Sequence, residues 1–109
     1  MNVDLLNKIK KLVHDSCYRV KLYAVKHMIE DGFTEMDVVN AILGDSKIIE
    51  IYDEDNRCLV LGQFSWNNNL TSWIHVVCDH SNKKLIDIVT AYIPQKPWWV
   101  SPTRRGRPR

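Results

Sequence analysis

The sequence lacks most of the motifs from which small stabilised folds and common active sites are built. Its three cysteines, Cys17, Cys58 and Cys78, include no CxxC pair, so neither a disulfide framework nor a cysteine zinc site is expected. Cys58 and Cys78 stand inside apolar segments, which predicts small buried core residues. Gly-rich phosphate loops, HExxH and GxSxG are all missing, and the four histidines are scattered. We therefore expect no metal and no cofactor.

The sequence also lacks long hydrophobic runs, and neither positive nor negative charge predominates along its whole length. No apolar run approaches the roughly 20 residues of a membrane span. The opening MNVDLLNKIKKLV interrupts its apolar residues with Asp4 and lysines, so we expect no signal peptide and a cytoplasmic location. Four of the 15 Lys and Arg residues lie in the tail. Residues 1–103 therefore contain 11 basic and 13 acidic side chains and carry a net charge of −2. A polycation that coats nucleic acid is excluded, and any such contact must come from a local patch.

The 109 residues allow a single domain, and its first half has helical periodicity. Apolar residues at helical spacing predict helices over 3–14 and 19–31. Gly32 suits the left-handed position that ends the second helix. Thr34 begins a third helix, because its hydroxyl and Asp37 form a capping-box pattern.

From residue 47 the hydrophobic period changes to two. Short polar turns separate four segments, which predicts an antiparallel meander with strands over 47–52, 57–64, 71–78 and 84–92. Helices first and strands after make the class α+β, with N-terminal helices packed on a four-stranded antiparallel sheet. Four prolines follow Tyr92. They predict an irregular arm over 93–109, with a single domain over 1–100 and a basic, disordered tail over 101–109.

His75 is the first candidate for chemistry, because it interrupts the most apolar strand, TSWIHVVC. Alternation places Trp73, His75 and Val77 on one face, and the residues of the other face form the better core: Ile74, Val76 and Cys78. His75 is then either a half-buried structural histidine or a general acid or base on the open face.

The ends of the predicted strands carry further candidates. Tyr92 closes the fourth strand and Arg57 opens the second. A cleft with His, Tyr and Arg suits metal-independent phosphodiester cleavage, in which two groups move protons and a cation holds the phosphate charge. The other interpretation is that Tyr and Arg are structural residues at strand ends.

Residues 18–99 resemble a bacterial family of unknown function in the RelE-like toxin superfamily, which includes MqsR-type and barnase-like ribonucleases (the barnase–EndoU–colicin–RelE-like fold). Four stretches carry the resemblance. YAVKHMIEDGF with TEMDVVNAI resembles the family's HAxxRMxERGI segment and the helix after it, and KIIEIYDED with CLVLG resembles its first hairpin. WIHVVC resembles its LHVVV strand, and TAYIPQKPWW resembles its ITAYxPD ending. It implies helices on a four-stranded antiparallel sheet. It also implies an endoribonuclease toxin, or mRNA interferase, that acts without metal.

The resemblance also implies site residues and partners. His75 and Tyr92 match family positions, whereas Tyr23 and His27 stand where the family pattern has His and Arg. The implied partners are RNA, including ribosome-associated mRNA, and a zinc-finger, helix-turn-helix antitoxin of the MqsA type, with no membrane. A non-catalytic binding domain on the same fold, for protein or nucleic acid, is the second hypothesis.

The tail and the tryptophans are candidates for nucleic-acid contact. Arg105-Gly106-Arg107-Pro108 resembles the RGRP core of an AT-hook, and Arg104 and Arg109 add charge. Four neutralised phosphates imply a log–log salt slope of about −3.6 on duplex DNA, and deletion of 101–109 is expected to leave thermal stability unchanged. Trp73 on the open sheet face, with Trp98 and Trp99 of the arm, is a candidate interface for an antitoxin or for stacked RNA bases. The alternative for Trp98 and Trp99 is that they fold back over the end of the sheet.

Overall fold

The computed structural model describes residues 3–67, 70–95 and 99–106. Three α-helices precede most of the strands: α1 (Val3–His14), α2 (Leu22–Asp31) and α3 (Glu35–Leu43). The strands are β1 (Tyr18–Val20), β2 (Lys47–Tyr52), β3 (Arg57–Asn67), β4 (Leu70–Asp79), β5 (Ile86–Tyr92), β6 (Trp99–Ser101) and β7 (Arg104–Arg105). A short 3-10 turn, Asp53–Asp55, joins β2 to β3. The α+β class is confirmed.

The helix boundaries follow the local signals in the sequence. Thr34 accepts a hydrogen bond from the Asp37 backbone N–H while the Asp37 carboxylate accepts one from the Thr34 N–H, so the predicted capping box is confirmed. Gly32 ends α2 with φ of 83°, a left-handed conformation that glycine adopts at little cost. No helix in the described ranges is long and apolar enough to cross a membrane.

Five strands form the main sheet, in the order β1-β5-β4-β3-β2. The predicted antiparallel meander of β2 to β5 is confirmed. The additional strand β1 pairs in parallel with β5, so the prediction of a helix from residue 19 is wrong for Arg19 and Val20. The Lys21 N–H donates to the carbonyl of Ile88. Tertiary pairing with the free edge of β5 therefore overrides the helical pattern there.

The helices cover one face of the sheet. Ile74, Val76 and Cys78 are fully buried on that face, as is Cys58, the direct partner of Cys78 across the strands. The predicted core face of β4 and the predicted burial of both cysteines are confirmed, and burial raises the pKa of the Cys58 thiol to about 12. Glycine at position 62 lets α3 approach β3, since a Cβ there would lie 2.6 Å from the Ala41 carbonyl oxygen.

The opposite face of the sheet is covered by a C-terminal hairpin of β6 and β7. These strands pair with each other, so the predictions of an irregular arm over 93–109 and of a disordered tail from residue 101 are wrong for Trp99–Arg105. The hairpin closes a second small core of residues that are buried but separate from the main cluster: Leu59, Leu61, His75 and Trp99. The physical reason is that Trp99 buries its large apolar surface on this face. Arg107 and Arg109, with their part of the predicted tail, lie outside the described residues.

Candidate functional site

His75 lies on the face that strand alternation predicts, but that face is not open at His75. The side chain has no solvent exposure, because Trp99 and Pro102 of the hairpin cover it. The imidazole makes an edge contact with the Trp99 ring at 4.3 Å between centroids. The predicted position of His75 in an open cleft is therefore wrong. Alternation along β4 correctly predicts the face of the sheet on which His75 lies. The hairpin that covers His75 is not predicted by strand periodicity.

The hydrogen bonds of His75 define its tautomer. Nε2 lies 2.6 Å from the carbonyl oxygen of Pro102, and a carbonyl can only accept, so Nε2 carries the proton. In the neutral ring Nδ1 is then an acceptor, and the Tyr92 hydroxyl donates to it at 3.3 Å. Burial lowers the pKa of His75, although the Pro102 carbonyl acts in the opposite direction. His75 is thus a neutral link between β5 and the hairpin.

Tyr92 connects this buried link to the surface. Burial raises the pKa of the Tyr92 phenol, while a hydrogen bond from Trp99 acts to lower it. The indole N–H can only donate, so the Tyr92 oxygen accepts from Trp99 and donates to His75. The chain of groups from Trp99 through Tyr92 and His75 to Pro102 fixes the Tyr92 ring in the wall of a cleft.

Arg105 fastens the hairpin to β2. Its guanidinium makes a bidentate ion pair with Glu50, with Nε and Nη2 at 3.0 and 2.9 Å from the carboxylate oxygens, and stacks 4.5 Å from the centroid of Trp99. Nη2 also donates to the Tyr52 hydroxyl at 3.3 Å. The hydrogen bond from Arg105 lowers the pKa of Glu50, and burial together with Glu50 raises that of Tyr52 to about 12. Nη1 has no hydrogen bond to any described residue.

A cleft of about 440 Å³ opens between α2, the end of β5 and the hairpin. Three of its residues, Tyr23, His27 and Asp31, follow one another at intervals of four along α2 and so form one stripe on the helix. The rings of Tyr23 and His27 contact edge to face at 4.6 Å between centroids. The complete lining is Tyr23, His27, Asp31, Thr90, Tyr92, Ile93, Gln95, Trp99 and Arg105. The cleft thus combines an imidazole, two phenols and a guanidinium.

Two of the residues predicted from the sequence lie elsewhere. Arg57 is paired with Asp79 at 3.4 Å, four residues along β4 from His75, which is about 13 Å. The prediction that Arg57 shares the cleft is wrong, because the antiparallel register pairs the start of β3 with Asp79 at the C-terminal end of β4, whereas His75 pairs with Tyr92 of the cleft wall. Trp73 is 42% exposed and lines a separate groove of about 250 Å³ with Leu61 and Gln63.

The predicted tail arginines do not act alike. Arg104 is exposed in β7, whereas Arg105 is held by Glu50, so Arg105 is not the free AT-hook arginine that the sequence predicts. Trp99 is folded back and buried, as one of the two interpretations expected, and Trp98 falls outside the described ranges.

Sequence reasoning missed Asp31, Thr90 and Glu50. The signals were present: Asp31 is four residues after His27, Thr90 is two before Tyr92, and Glu50 is two before Tyr52 on one strand face. Thr90 Oγ1 is buried with no hydrogen-bond partner in the part of the chain that the structure describes. In the same ranges no three His, Cys, Asp or Glu side chains cluster as metal ligands do.

Comparison with known proteins gives one match. A family model described as "Domain of unknown function (DUF4258)" matches residues 23–93. No curated protein matches, and no solved structure matches. The matched segment runs from the first residue of the helical stripe to the end of β5 and ends before the hairpin, so it contains Tyr23, His27, Asp31 and Tyr92 of the cleft but not Trp99 or Arg105.

Proposed function

This chain belongs to the DUF4258 family, whose function is unknown, and from the chemistry of its cleft we propose that it is an endoribonuclease that uses general acid–base catalysis without a metal. The observation that carries the proposal is that Tyr23, His27, Tyr92 and Arg105 line one open cleft. These side chains supply the proton-transfer groups and the cation that transesterification of RNA needs.

In the proposed reaction His27 removes the proton from a ribose 2′-hydroxyl, and the 2′-oxygen attacks the adjacent phosphorus. The bond from phosphorus to the 5′-oxygen breaks, which leaves a 2′,3′-cyclic phosphate and a free 5′-hydroxyl. Tyr23, in ring contact with His27, donates the proton that the 5′-oxygen takes. Arg105 stabilises the negative charge on the phosphate through Nη1, the guanidinium nitrogen that Glu50 and Tyr52 leave unbound.

His75 has a different role in this proposal from the one that the sequence predicts. A side chain with no exposure does not exchange protons with a substrate. His75 instead acts as a positioning residue, because it accepts from the Tyr92 hydroxyl and donates to the Pro102 carbonyl. It thereby fixes Tyr92 in the cleft wall and holds the hairpin that carries Arg105.

A purified protein and a fluorophore-quencher RNA in excess EDTA test the activity. We expect cleavage that leaves 2′,3′-cyclic phosphate ends and a loss of about 100- to 10,000-fold in rate for His27→Ala. His14→Ala is the matched control, because His14 is exposed on α1 outside the cleft. Absence of cleavage above buffer, or equal rates for His27→Ala and wild type, would contradict the proposal.

We extend the proposal to the biological role: a cytoplasmic toxin whose substrate is mRNA, with ribosome-associated mRNA included, and whose partner is an MqsA-type zinc-finger, helix-turn-helix antitoxin. The four sequence stretches that resemble the RelE-like superfamily support it. Expression is expected to arrest growth, and co-expression with a neighbouring gene product of that kind is expected to relieve the arrest and give a soluble complex. Normal growth on expression of the wild-type chain would contradict the toxin role.

A second candidate is a non-catalytic binding domain, and burial of His75 favours it, since the histidine shared with the family pattern then serves structure alone. RNA or protein binding without any cleavage in EDTA or in Mg²⁺, together with normal growth, would select this candidate.

A further inference from the structure

Among the described residues that line the cleft, Asp31 is the one with an acidic side chain, and the proposed reaction does not use it. It is the last residue of the helical stripe, eight residues from Tyr23, which is about 12 Å along the helix axis. The cleft therefore has a catalytic end at Tyr23 and His27 and an acidic end at Asp31. His27 lies between Tyr23 and Asp31, one helical turn or about 6 Å along the axis from Asp31.

The Asp31 carboxylate is fixed but incompletely bonded. Oδ2 accepts from the backbone N–H of Ile93 at 3.4 Å, which sets the orientation of the group. Oδ1 has no hydrogen bond to any described residue, and no ion pair to Asp31 occurs within the described ranges. A half-buried carboxylate without a cation gains most from N–H donors.

The remaining walls favour a flat ligand. Tyr23 and Tyr92 place two aromatic rings in the cleft wall, and aromatic side chains bind unpaired RNA bases by stacking. A volume of about 440 Å³ lies within the range of small-ligand sites. A cleft with aromatic walls and a carboxylate at one end is suited to bind a single base that donates hydrogen bonds from its edge.

The hydrogen-bonding edges of the four bases differ in what they offer a carboxylate. Guanine presents two adjacent donors, N1–H and the N2 amino group, which match two carboxylate oxygens. Adenine and cytosine place a ring-nitrogen lone pair beside their amino group, and uracil has one N–H between two carbonyls. We propose that the Asp31 end of the cleft binds a guanine base and makes guanosine the preferred nucleotide at the cleavage site, an inference that rests on the proposed nuclease function.

Chimeric DNA oligonucleotides with a single ribonucleotide (G, A, C or U) restrict cleavage to one position and test the preference. We expect the wild type to cleave at guanosine about 10- to 100-fold faster than at the other three, as a bidentate contact implies. Asp31→Asn is expected to reduce that ratio to less than about threefold. The asparagine oxygen still accepts from the Ile93 N–H, so the fold is retained. Glu30→Gln, which removes an exposed charge from the neighbouring position, is expected to keep the wild-type ratio.

Calorimetric binding of nucleoside 3′-monophosphates separates this inference from the nuclease proposal. Inosine lacks the N2 amino group, so inosine 3′-monophosphate should bind the wild type about tenfold more weakly than guanosine 3′-monophosphate does. The Asp31→Asn variant should bind the two nucleotides with equal affinity. This pattern without any cleavage would overturn the nuclease function and keep the guanine site. Equal binding of the two nucleotides to the wild type, or a guanine preference that Asp31→Asn retains, would overturn the guanine site even if RNA is cleaved.

Discussion

A histidine that interrupts an apolar strand acquires its role from what covers it. His75 is buried with both ring nitrogens bonded, to the Pro102 carbonyl and to the Tyr92 hydroxyl. Burial lowers its pKa, since the charged ring would lose its hydration. The unfolded chain therefore takes up this proton at a higher pH than the folded protein does, and protonation works against folding.

The stability of the wild type should consequently fall as the pH drops below about 6.5, the ordinary pKa of histidine. His75 changes the free energy of unfolding by at most about 1.4 kcal/mol per pH unit. This dependence extends from a pH of about 6.5 down to the lowered pKa of His75 in the folded state. His75→Gln, which keeps an N–H donor for Pro102, should flatten this dependence. Urea unfolding at pH 7.5, 6.5 and 5.5 measures it, and an unchanged slope in His75→Gln would contradict the assignment. Glu50, whose pKa is lowered, contributes only below about 4.5.

Thr90 allows a second test at the scale of one residue. Its Oγ1 is buried without a hydrogen bond to any described residue, so Thr90→Val removes an unsatisfied polar atom at constant shape. We expect the free energy of unfolding, measured by urea denaturation, to stay within about 0.5 kcal/mol of wild type or to rise. A clear loss of stability would mean that the hydroxyl has a structural partner.

At the scale of elements, the hairpin of β6 and β7 converts a sheet face into a second core. It covers His75 through Trp99 and Pro102 and is fastened by the pair of Arg105 with Glu50. Deletion of residues 101–109 removes Pro102 and Arg105, so it is now expected to lower the thermal stability instead of leaving it unchanged. The buried Nε2–H of His75 then loses its acceptor, at a cost of about 1–3 kcal/mol.

Deletion of 101–109 should therefore lower the Tm by about 4–8 °C for each kcal/mol lost, as is usual for a domain of this size. Deletion of 107–109 alone leaves the hairpin complete and is the matched control, with an unchanged Tm expected. Thermal unfolding followed by circular dichroism compares the two truncations. Equal Tm values would show that the hairpin does not contribute to stability.

The packing of α3 on β3 depends on one glycine. A Cβ at Gly62 would meet the backbone of Ala41 at 2.6 Å, and helix backbone cannot move away as a flexible side chain can. Gly62→Ala should destabilise the protein by about 1–3 kcal/mol, as overpacking does. Chemical denaturation measures the change, and a stability equal to wild type would show that the helix can shift without cost.

At the scale of the whole molecule, charge is divided between a nearly neutral body and a basic end. Arg105 lines the cleft and is paired with Glu50, so a duplex bound outside the cleft can contact three tail arginines: Arg104, Arg107 and Arg109. The log–log salt slope on AT-rich duplex should then be about −2.7 rather than −3.6. Arg104→Gln should reduce its magnitude by about 0.9. Fluorescence anisotropy between 50 and 200 mM salt, a range over which the phosphate term changes strongly, measures both slopes, and a wild-type slope near −3.6 would contradict the counting.

Elements whose signals lie within a few neighbouring residues could be predicted before the structure was known. The capping box at Thr34 and Asp37, the glycine end of α2 and the alternation along β4 each depend on neighbouring residues, and each predicts its structure. The sequence also identified Tyr23, His27 and Tyr92, which the fold brings to one cleft. These predictions succeed because helix caps and strand faces follow from backbone geometry within a few residues.

Features that depend on pairing between distant segments became visible only in the folded chain. β1 replaces the start of a predicted helix because the edge of β5 offers backbone partners more than 60 residues away. The register between β3 and β4 separates Arg57 from His75, and the hairpin buries His75 while it brings Arg105 to the cleft in place of Arg57. Burial and register are properties of surfaces that meet across the fold, and no period within a single strand encodes which surface will cover it.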